Sequence, residues 1–556
     1  MKQYIKALML SGVLAGTAAC TDLDTPIVGY YPQFPDSEIA TAGEFDGCYY
    51  YLRNEAWLGR NFWEGILCQG DEIFGICYGT DSYFDNGRWF YPSIHKLNPD
   101  VPGVGLIGEV MRGITYTNPR ILAYGGPDGK DPVVAPLRAI RAFYHFWMME
   151  LYGDFPILDH VVEEGEVIDR QPRADVARWI EQELLEVIPD LSEANDVSTY
   201  GRPNKWMAEA LLAKLYINWG VYTNDIETVT GSTPNEKLDD CVKWCDEIIK
   251  SGIFEVGNGY RKKFFPDNGV HIKDFIYAMP MDPATFGGGV YWAGHEIARF
   301  SGGYKDFGCL NPAPWTWIPS SSIACNMIMT PEAVDRFCLE GDERNEMVQC
   351  GQTYRMTNET EGYKFTDEPV IVYRNSTFKR ERGPLVYQKT FEFDNIDVFS
   401  VGLDNEWTNL TKGARLMKYP AREEDYLSWS RKQTNDIPIF RYADILLMKA
   451  ECILRGAAAT NGDTPASLMN QVRDCSNAPH VTGTPSLQDL LDERSREFIF
   501  EMWRRNDLIR FGQFENDWGW KHDVNPGAKT EYWRRLLPIP TGEMNTNTNW
   551  KQNKGY

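Results

Sequence analysis

Segments with helical periodicity occur in pairs along this chain, and the pairing restricts the fold more than any other feature of the sequence. Residues 135–152 (APLRAIRAFYHFWMMELY) place apolar side chains three and four positions apart, and residues 173–188 repeat the pattern. A second pair follows, in which 203–220 begins with a proline suited to a first helical turn and 238–251 forms the return helix. We therefore predict helical hairpins that pack in antiparallel fashion and a fold that is mainly α.

The same arrangement recurs near the C-terminus, where 437–455, 464–475 and 487–510 have helical periodicity. Between the two helical regions, residues 255–435 are rich in Gly, Pro, Asn and aromatic residues, with short strand-like runs such as 384–390. We read this middle region as long loops with small β-sheets. Small residues at the expected helix crossings resemble the tetratricopeptide pattern: Ala208, Ala210, Ala213, Ala443 and Ala450.

The N-terminus has the pattern of a secretory signal. Lys2 and Lys6 flank the start of an apolar run, 7–14, that is shorter than the roughly 20 residues needed to span a bilayer. The segment Thr17-Ala18-Ala19-Cys20 resembles the lipobox at which bacterial lipoproteins are cleaved and acylated, although Thr17 stands where leucine is usual. A plain secreted protein is the alternative. We predict a signal peptide over 1–19, a lipid-anchored stalk over 20–36 and a single domain over 37–556.

Charge and cysteine content exclude several classes of protein. The formal net charge of −23 disfavours nucleic acid as a partner, because phosphate backbones require a basic surface. The 12 cysteines are sparse for a chain of 556 residues, and lipidation of Cys20 would leave an odd number. None has zinc-finger spacing with histidine partners. Buried thiols are the expectation, with no disulfide assigned and metal binding left undetermined.

Three sequence patterns suggest catalysis or cofactor binding, and each lacks the context it needs. Residues 103–108 match GxGxxG, but a turn rather than a strand precedes them. His295-Glu296 begins like the zinc motif HExxH, whose fifth position is Arg299 here. A pair of carboxylates suited to glycoside hydrolysis remains an alternative that the sequence does not exclude. We expect no enzyme activity and no cofactor.

Two loop-like stretches, 78–95 and 286–318, combine aromatic and polar residues outside any helical period. Sugars bind to exposed aromatic faces flanked by hydrogen-bonding groups, and prolines near Trp315 and Trp317 would stiffen such a platform. For each aromatic, packing beneath its own loop is the alternative. The predicted ligand-binding residues are Tyr83, Asn86, Arg88, Trp89, Tyr291, Trp292, Trp315 and Trp317.

Charged residues in the C-terminal helical segments alternate in sign at helical spacing, which suggests ion pairs between neighbouring helices. A solvated charged face is the alternative for any one of them. His145 lies among aromatic residues within a predicted helix and is read as a core residue. The charged residues are Arg441, Asp444, Glu451, Arg494, Arg496 and Glu497.

An ordered set of motifs spans the chain from Cys20 to the last residues. The set consists of Cys20 with 21–26, 137–146, 151–156, 441–451, 493–498, 504–511, 537–540 and 549–556. Together these resemble the SusD/RagB family of Bacteroidetes outer-membrane lipoproteins. The resemblance implies a SusD-like fold of four tetratricopeptide-like helix pairs, here about 135–252 and 437–510, with a ligand site in the loop-rich region of about 255–435.

The resemblance also implies a function. Members are nutrient-binding lipoproteins on the cell surface that cover a SusC-like TonB-dependent transporter. We therefore expect a protein anchored to the outer membrane that captures an oligosaccharide or polysaccharide and delivers it to such a transporter. The alternative is a RagB-like protein that binds peptides for uptake, in which backbone hydrogen bonding would replace aromatic stacking.

Overall fold

The computed structural model describes residues 38–53, 58, 61–76, 87–101, 107–281, 327–359, 362–369, 371–373, 382–398, 411–420 and 434–556. The chain divides into two units, Met1–Phe45 and Asp46–Tyr556, and the site lies in the second. The predicted signal peptide, Cys20 and the predicted stalk fall outside the described residues and stay predictions. Within the described ranges, no helix is both long and apolar enough to cross a membrane.

Helices dominate the described part of the chain, and short 3₁₀ turns join several of them. In chain order the helices are α1 (Glu38–Tyr49), α2 (Asn61–Leu67), α3 (Phe90–Ser93), α4 (Ile107–Tyr124), α5 (Ala135–Tyr152), α6 (Arg173–Val187), α7 (Lys205–Ile217), α8 (Trp219–Thr223), α9 (Leu238–Lys250), α10 (Pro331–Arg336), α11 (Tyr442–Leu454), α12 (Pro465–Asp474), α13 (Leu487–Phe498), α14 (Arg504–Arg510), α15 (Lys521–Val524) and α16 (Thr541–Thr546).

The helices that the sequence predicts as neighbours pack against each other. Helix α5 contacts α6, α7 contacts α9, and α11 contacts α12, while α9 and α11 join the two helical regions. Every residue of α5 except Pro136 is buried, so this helix forms the centre of the first helical region. The mainly helical fold is confirmed, whereas the tetratricopeptide character of the individual pairs stays a prediction.

Two of the C-terminal helix boundaries predicted from the sequence are wrong. Residues 437–441 form a strand, and the helix begins at Tyr442. Pro438 lacks an amide proton and Arg441 has an extended backbone, with φ −122° and ψ 152°, so the helical hydrogen-bond pattern begins only after Arg441. The segment 487–510 is split between α13 and α14, because Ile499 leaves the helical conformation, with φ −51° and ψ 139°, and Phe500 after it adopts a left-handed backbone with φ +64°.

Within the described residues, the strands form six two-stranded antiparallel sheets, as expected for a loop-rich region with small sheets. The pairs are β1 (Ile73–Gly75) with β3 (Met327–Met329), β2 (Phe275–Met279) with β12 (Ile437–Arg441), β4 (Val348–Gln349) with β11 (Arg415–Leu416), β5 (Gly351–Gln352) with β10 (Val386–Tyr387), β6 (Tyr354–Glu359) with β7 (Gly362–Pro369), and β8 (Ile371–Tyr373) with β9 (Arg382–Pro384).

Ion pairs are buried within the C-terminal helical region. Arg441 is 1% exposed and donates to Asp274, Glu497 and Glu501 at 2.6–3.0 Å. Asp444 accepts from Arg494 at 2.8 Å, and both side chains are buried. The predicted ion pairs are confirmed, and the alternative of a solvated face is excluded for Arg441, Asp444, Glu451, Arg494, Arg496 and Glu497, all of which are buried.

His145 is a core residue, as predicted. Its Nδ1 lies 2.8 Å from the carbonyl oxygen of Arg141, and its Nε2 accepts from the amide of Leu158 at 3.0 Å. A ring that accepts at one nitrogen and donates at the other is neutral. Consistent with that state, burial is the main cause that lowers the pKa of His145 to about 4.

The described cysteines are all free thiols. Six of them are buried, as expected, and Cys338 and Cys350 are exposed. Cys20, Cys77, Cys309 and Cys325 lie outside the described residues.

Candidate ligand-binding site

The β1–β3 sheet pairs two strands that lie close in sequence to the two predicted aromatic loops. Strand β1 ends at Gly75, shortly before the loop 78–95, and β3 begins at Met327, nine residues after the end of the loop 286–318. Gly75 pairs with Met327 across the sheet. The pairing joins two parts of the chain that about 250 residues separate in sequence.

Trp89 closes the first loop by packing onto the end of β1. A Cβ atom at Gly75 would lie 2.5 Å from Cβ of Trp89, so only glycine permits this approach. The amide of Gly75 donates to Oγ of Ser93 at 2.8 Å, and that hydroxyl donates to the carbonyl of Trp89 at 2.9 Å. These contacts fix the return of the chain into α3.

The expectation that Trp89 offers an exposed ring is wrong. Its side chain is 4% exposed, and the indole N–H donates to Oε2 of Glu64 at 3.1 Å. Arg88 reaches the same carboxylate oxygen at 3.0 Å, and its guanidinium lies 5.4 Å from the ring of Trp89. Glu64 on α2 is completely buried, and these two donors both contact its Oε2. Arg88 and Trp89 therefore form part of the framework beneath the loop.

The other predicted ligand residues lie outside the described part of the chain, and their roles stay predictions. They are Tyr83, Asn86, Tyr291, Trp292, Trp315 and Trp317.

A group of aromatic side chains that sequence reasoning missed lies beside the β1–β3 sheet. We call it the aromatic cluster; its members are Phe74, Tyr91, Phe391, Phe393 and Trp520. Phe74 is buried, and the other four are half-buried.

The rings of the aromatic cluster contact one another edge to face or at a tilt. Trp520 lies 5.4 Å from Phe74, 5.2 Å from Phe391 and 4.9 Å from Phe393, measured between ring centroids. Such packing holds the rings rigid while part of their surface stays open. The sequence carries a weak signal for the cluster, namely the runs Phe-Glu-Phe at 391–393 and Trp-Gly-Trp at 518–520 outside any helical period.

Charged groups adjoin the aromatic cluster. The exposed carboxylate of Glu332 on α10 accepts from the amide of Gly519 at 3.0 Å. Asp394 pairs with Lys412 at 3.1 Å, one residue beyond Phe393. These groups are suited to hydrogen bonding with ligand hydroxyls. Among the residues that the structure describes, no group of three or more His, Cys, Asp or Glu could hold a metal ion.

Comparisons with known proteins agree with this fold. Residues 319–556 match the model of the SusD family. The starch-binding protein SusD of Bacteroides thetaiotaomicron is 26% identical over 451 residues, which cover 76% of this chain and 72% of that protein.

Solved structures are similar over almost the whole chain. The surface glycan-binding protein A of Bacteroides fluxus superposes with a TM-score of 0.66 at 17% identity, covering 94% of this chain and all of that one. The surface glycan-binding protein A of Bacteroides thetaiotaomicron, solved with laminarihexaose, has a TM-score of 0.63 at 19% identity and covers 93% of this chain and 99% of that one. The resemblance found in the sequence is thus confirmed: residues 319–556 match the SusD family model, and the chain has the fold of SusD-like glycan-binding proteins.

Proposed function

We propose that this protein is a cell-surface glycan-binding lipoprotein that captures an oligosaccharide or polysaccharide and delivers it to a SusC-like TonB-dependent transporter. The observation that carries the proposal is the aromatic cluster beside the β1–β3 sheet, whose strands lie close in sequence to the two predicted aromatic loops. The similar proteins include a starch-binding protein and a surface glycan-binding protein solved with laminarihexaose, which supports the same class of ligand.

The site would bind sugar by stacking and hydrogen bonding together. The C–H faces of a pyranose ring pack on aromatic faces, while its hydroxyls need polar partners at the rim. Each hydroxyl exchanges a water hydrogen bond for a protein one, so the affinity of one site is expected to be modest. Closure over a transporter would add to retention by raising the effective concentration of ligand near the pore.

The membrane anchor in this proposal is the acylated Cys20. Two or more acyl chains hold a protein stably at a membrane, whereas one does not. Expression of the full chain in a bacterium that processes lipoproteins should place it in the membrane fraction, and Cys20→Ser should release it to the soluble fraction. Equal partitioning of the two forms would contradict the anchor.

Delivery requires a complex with the transporter. This protein can be co-expressed with a tagged SusC-like transporter of the same genome. Affinity purification through the tag after detergent extraction should then recover both chains in a fixed ratio. Recovery of the transporter alone would contradict the delivery step while leaving glycan capture intact.

Glycan capture is tested with the chain that begins at Thr21, run on native affinity gels cast with neutral, acidic and host-type polysaccharides. At least one polymer should retard the wild type. The triple variant Trp292→Ala, Trp315→Ala, Trp317→Ala should migrate freely, and Phe393→Ala with Trp520→Ala should weaken retardation. Trp244→Ala serves as the matched control, because Trp244 is a half-buried tryptophan on α9 rather than at the site.

Two results would overturn the proposal. Retardation by no polymer, together with binding to a peptide library, would favour the peptide alternative. Release of reducing ends from a retarding polymer would show hydrolysis and would make the protein an enzyme.

A further inference from the structure

A small cavity lined by both polar and apolar residues lies among the helices, on elements that contribute nothing to the candidate ligand-binding site. Its volume is about 20 Å³, enough for one water-sized species. Residues from α7, α8, α14, the end of α11 and the loop 224–237 surround it: Ile217, Gly220, Val221, Thr230, Thr233, Asn235, Arg455 and Arg510.

The loop that covers this cavity is seated tightly on the helices. A Cβ atom at Gly231 would lie 2.5 Å from the carbonyl oxygen of Phe511, so the loop approaches the end of α14 as closely as glycine allows. The carbonyl of Gly231 also accepts from Nη1 of Arg455 at 2.7 Å. Thr230 is exposed at the edge of the loop, which leaves a route from solvent.

Arg455 offers the cavity a donor without an acceptor. Its Nε donates to Glu451 at 2.8 Å and its Nη1 to Gly231, but the buried Nη2 has no acceptor among the described residues. A buried donor left without an acceptor costs about 1–3 kcal/mol, so such groups usually have a bound partner.

Two hydroxyls add further donors. Oγ1 of Thr233 accepts from the amide of Thr230 at 2.7 Å, and Oγ1 of Thr230 accepts from the amide of Ser232 at 3.3 Å. Neither hydroxyl donates to an acceptor in the described part of the chain. The proton of each is therefore available to a species in the cavity.

The surrounding charges leave one positive charge unbalanced. A continuous series of ion pairs runs from Lys214 through Asp444, Arg494, Asp507, Arg510 and Glu451 to Arg455. It contains four cations and three carboxylates. Burial lowers the pKa of Lys214, but Asp444 lies 2.5 Å from its ammonium and favours the charged form.

We propose that this cavity binds a small monovalent inorganic anion of the chloride type. The cavity is lined by the buried Nη2 of Arg455, unpartnered among the described residues, and by the hydroxyls of Thr230 and Thr233. It lies at the end of a series of ion pairs in which cations outnumber carboxylates, and its volume suits a monoatomic ion. A bound anion would complete the hydrogen bonds of Arg455 and bind the loop 224–237 to α11. Anions stabilise folded proteins when they bind the native state alone.

Thermal unfolding at constant sodium concentration and ionic strength tests this proposal, with gluconate replaced stepwise by chloride. The wild type should show a saturable rise in Tm, and Arg455→Met should show none. Thr233→Ser keeps the hydroxyl and should respond like the wild type, whereas Thr230→Val with Thr233→Val should need ~tenfold more chloride for half saturation. Arg178→Met, which removes an exposed arginine from another helix, is the matched control.

Crystals grown in bromide give a second measurement that does not depend on the stability of any variant. An anomalous difference peak within hydrogen-bonding distance of Nη2 of Arg455 is expected. A cavity that contains only water in bromide would overturn the proposal, as would an equal chloride response of the wild type and Arg455→Met.

Discussion

Trp89 is predicted from the sequence to bind ligand, but in the structure it is a packed, buried residue. The composition around position 89 suits a sugar platform, yet the ring lies against Gly75 and donates to Glu64. A tryptophan N–H and a buried carboxylate satisfy each other well inside a protein. Nothing in a single sequence reveals that Glu64, 25 positions earlier, supplies this partner.

Replacement of Trp89 is therefore predicted to affect stability first. Trp89→Ala should lower the free energy of unfolding by about 3–5 kcal/mol, because it leaves a cavity and removes a donor from Glu64. Trp89→Phe should cost less, since it keeps most of the packing. Urea denaturation measures both. If Trp89→Ala lost retardation on affinity gels while its stability stayed unchanged, Trp89 would be a ligand-binding residue after all.

A second prediction concerns Glu209 on α7. The side chain is buried, and its Oε2 has no donor in the described part of the chain. Burial is the main cause that raises its pKa from 4.5 to about 7, with Glu247 and Glu193 adding to the rise and Lys205 opposing it. A raised pKa means that the folded state holds the proton after the unfolded state has lost it. The free energy of unfolding should thus fall as the pH rises from 4.5 to about 7 and then level off.

Glu209→Gln should remove this pH dependence. Glutamine imitates the protonated carboxyl, so the variant should equal the wild type near pH 4 and exceed it by about 2 kcal/mol at pH 8. Denaturation curves across that range measure the difference. Glu255→Gln, at an exposed position, is the control, and its free energy of unfolding should change with pH as that of the wild type does. If the difference in the free energy of unfolding between Glu209→Gln and the wild type were the same at every pH, the raised pKa of Glu209 would be refuted.

At the scale of elements, regular periodicity predicts the helices well. The strands depend on pairing with partners far away in sequence, which periodicity does not reveal. Helix α5 covers the predicted residues, 135–152, because Gly153 follows it and apolar residues repeat along its length. Strand β12 was missed because its partner β2 lies about 160 residues earlier and its own run also fits a helical period. The pairing of β1 with β3 could not be predicted for the same reason, since about 250 residues separate the two strands.

The buried ion pairs lead to a prediction about how the elements are joined. Arg441 binds Asp274 before β2 as well as Glu497 and Glu501 at the end of α13, so it links three separate parts of the chain. Arg441→Met should cost about 3–5 kcal/mol, because three carboxylates lose a partner that burial prevents water from replacing. Arg178→Met, at an exposed pair, should change the free energy of unfolding by less than about 0.5 kcal/mol. Similar effects of the two changes, measured by urea denaturation, would contradict the role of the buried pair.

On the scale of the whole molecule, we expect the described framework to supply the stability and the segment 282–326 to supply ligand contacts. Buried ion pairs such as those of Arg441 and Arg494 lie within the framework, and the residues on either side of that segment, Met281 and Met327, are buried. Replacement of residues 282–326 by 20 Gly and Ser residues, which span roughly 25 Å as a flexible chain, should therefore leave Tm nearly unchanged. The same variant should lose retardation on affinity gels, because the loop carries Trp292, Trp315 and Trp317. Calorimetry and gels on one preparation separate the two effects. A large drop in Tm would show that the loop completes the core, and retained retardation would shift the ligand surface to the aromatic cluster alone.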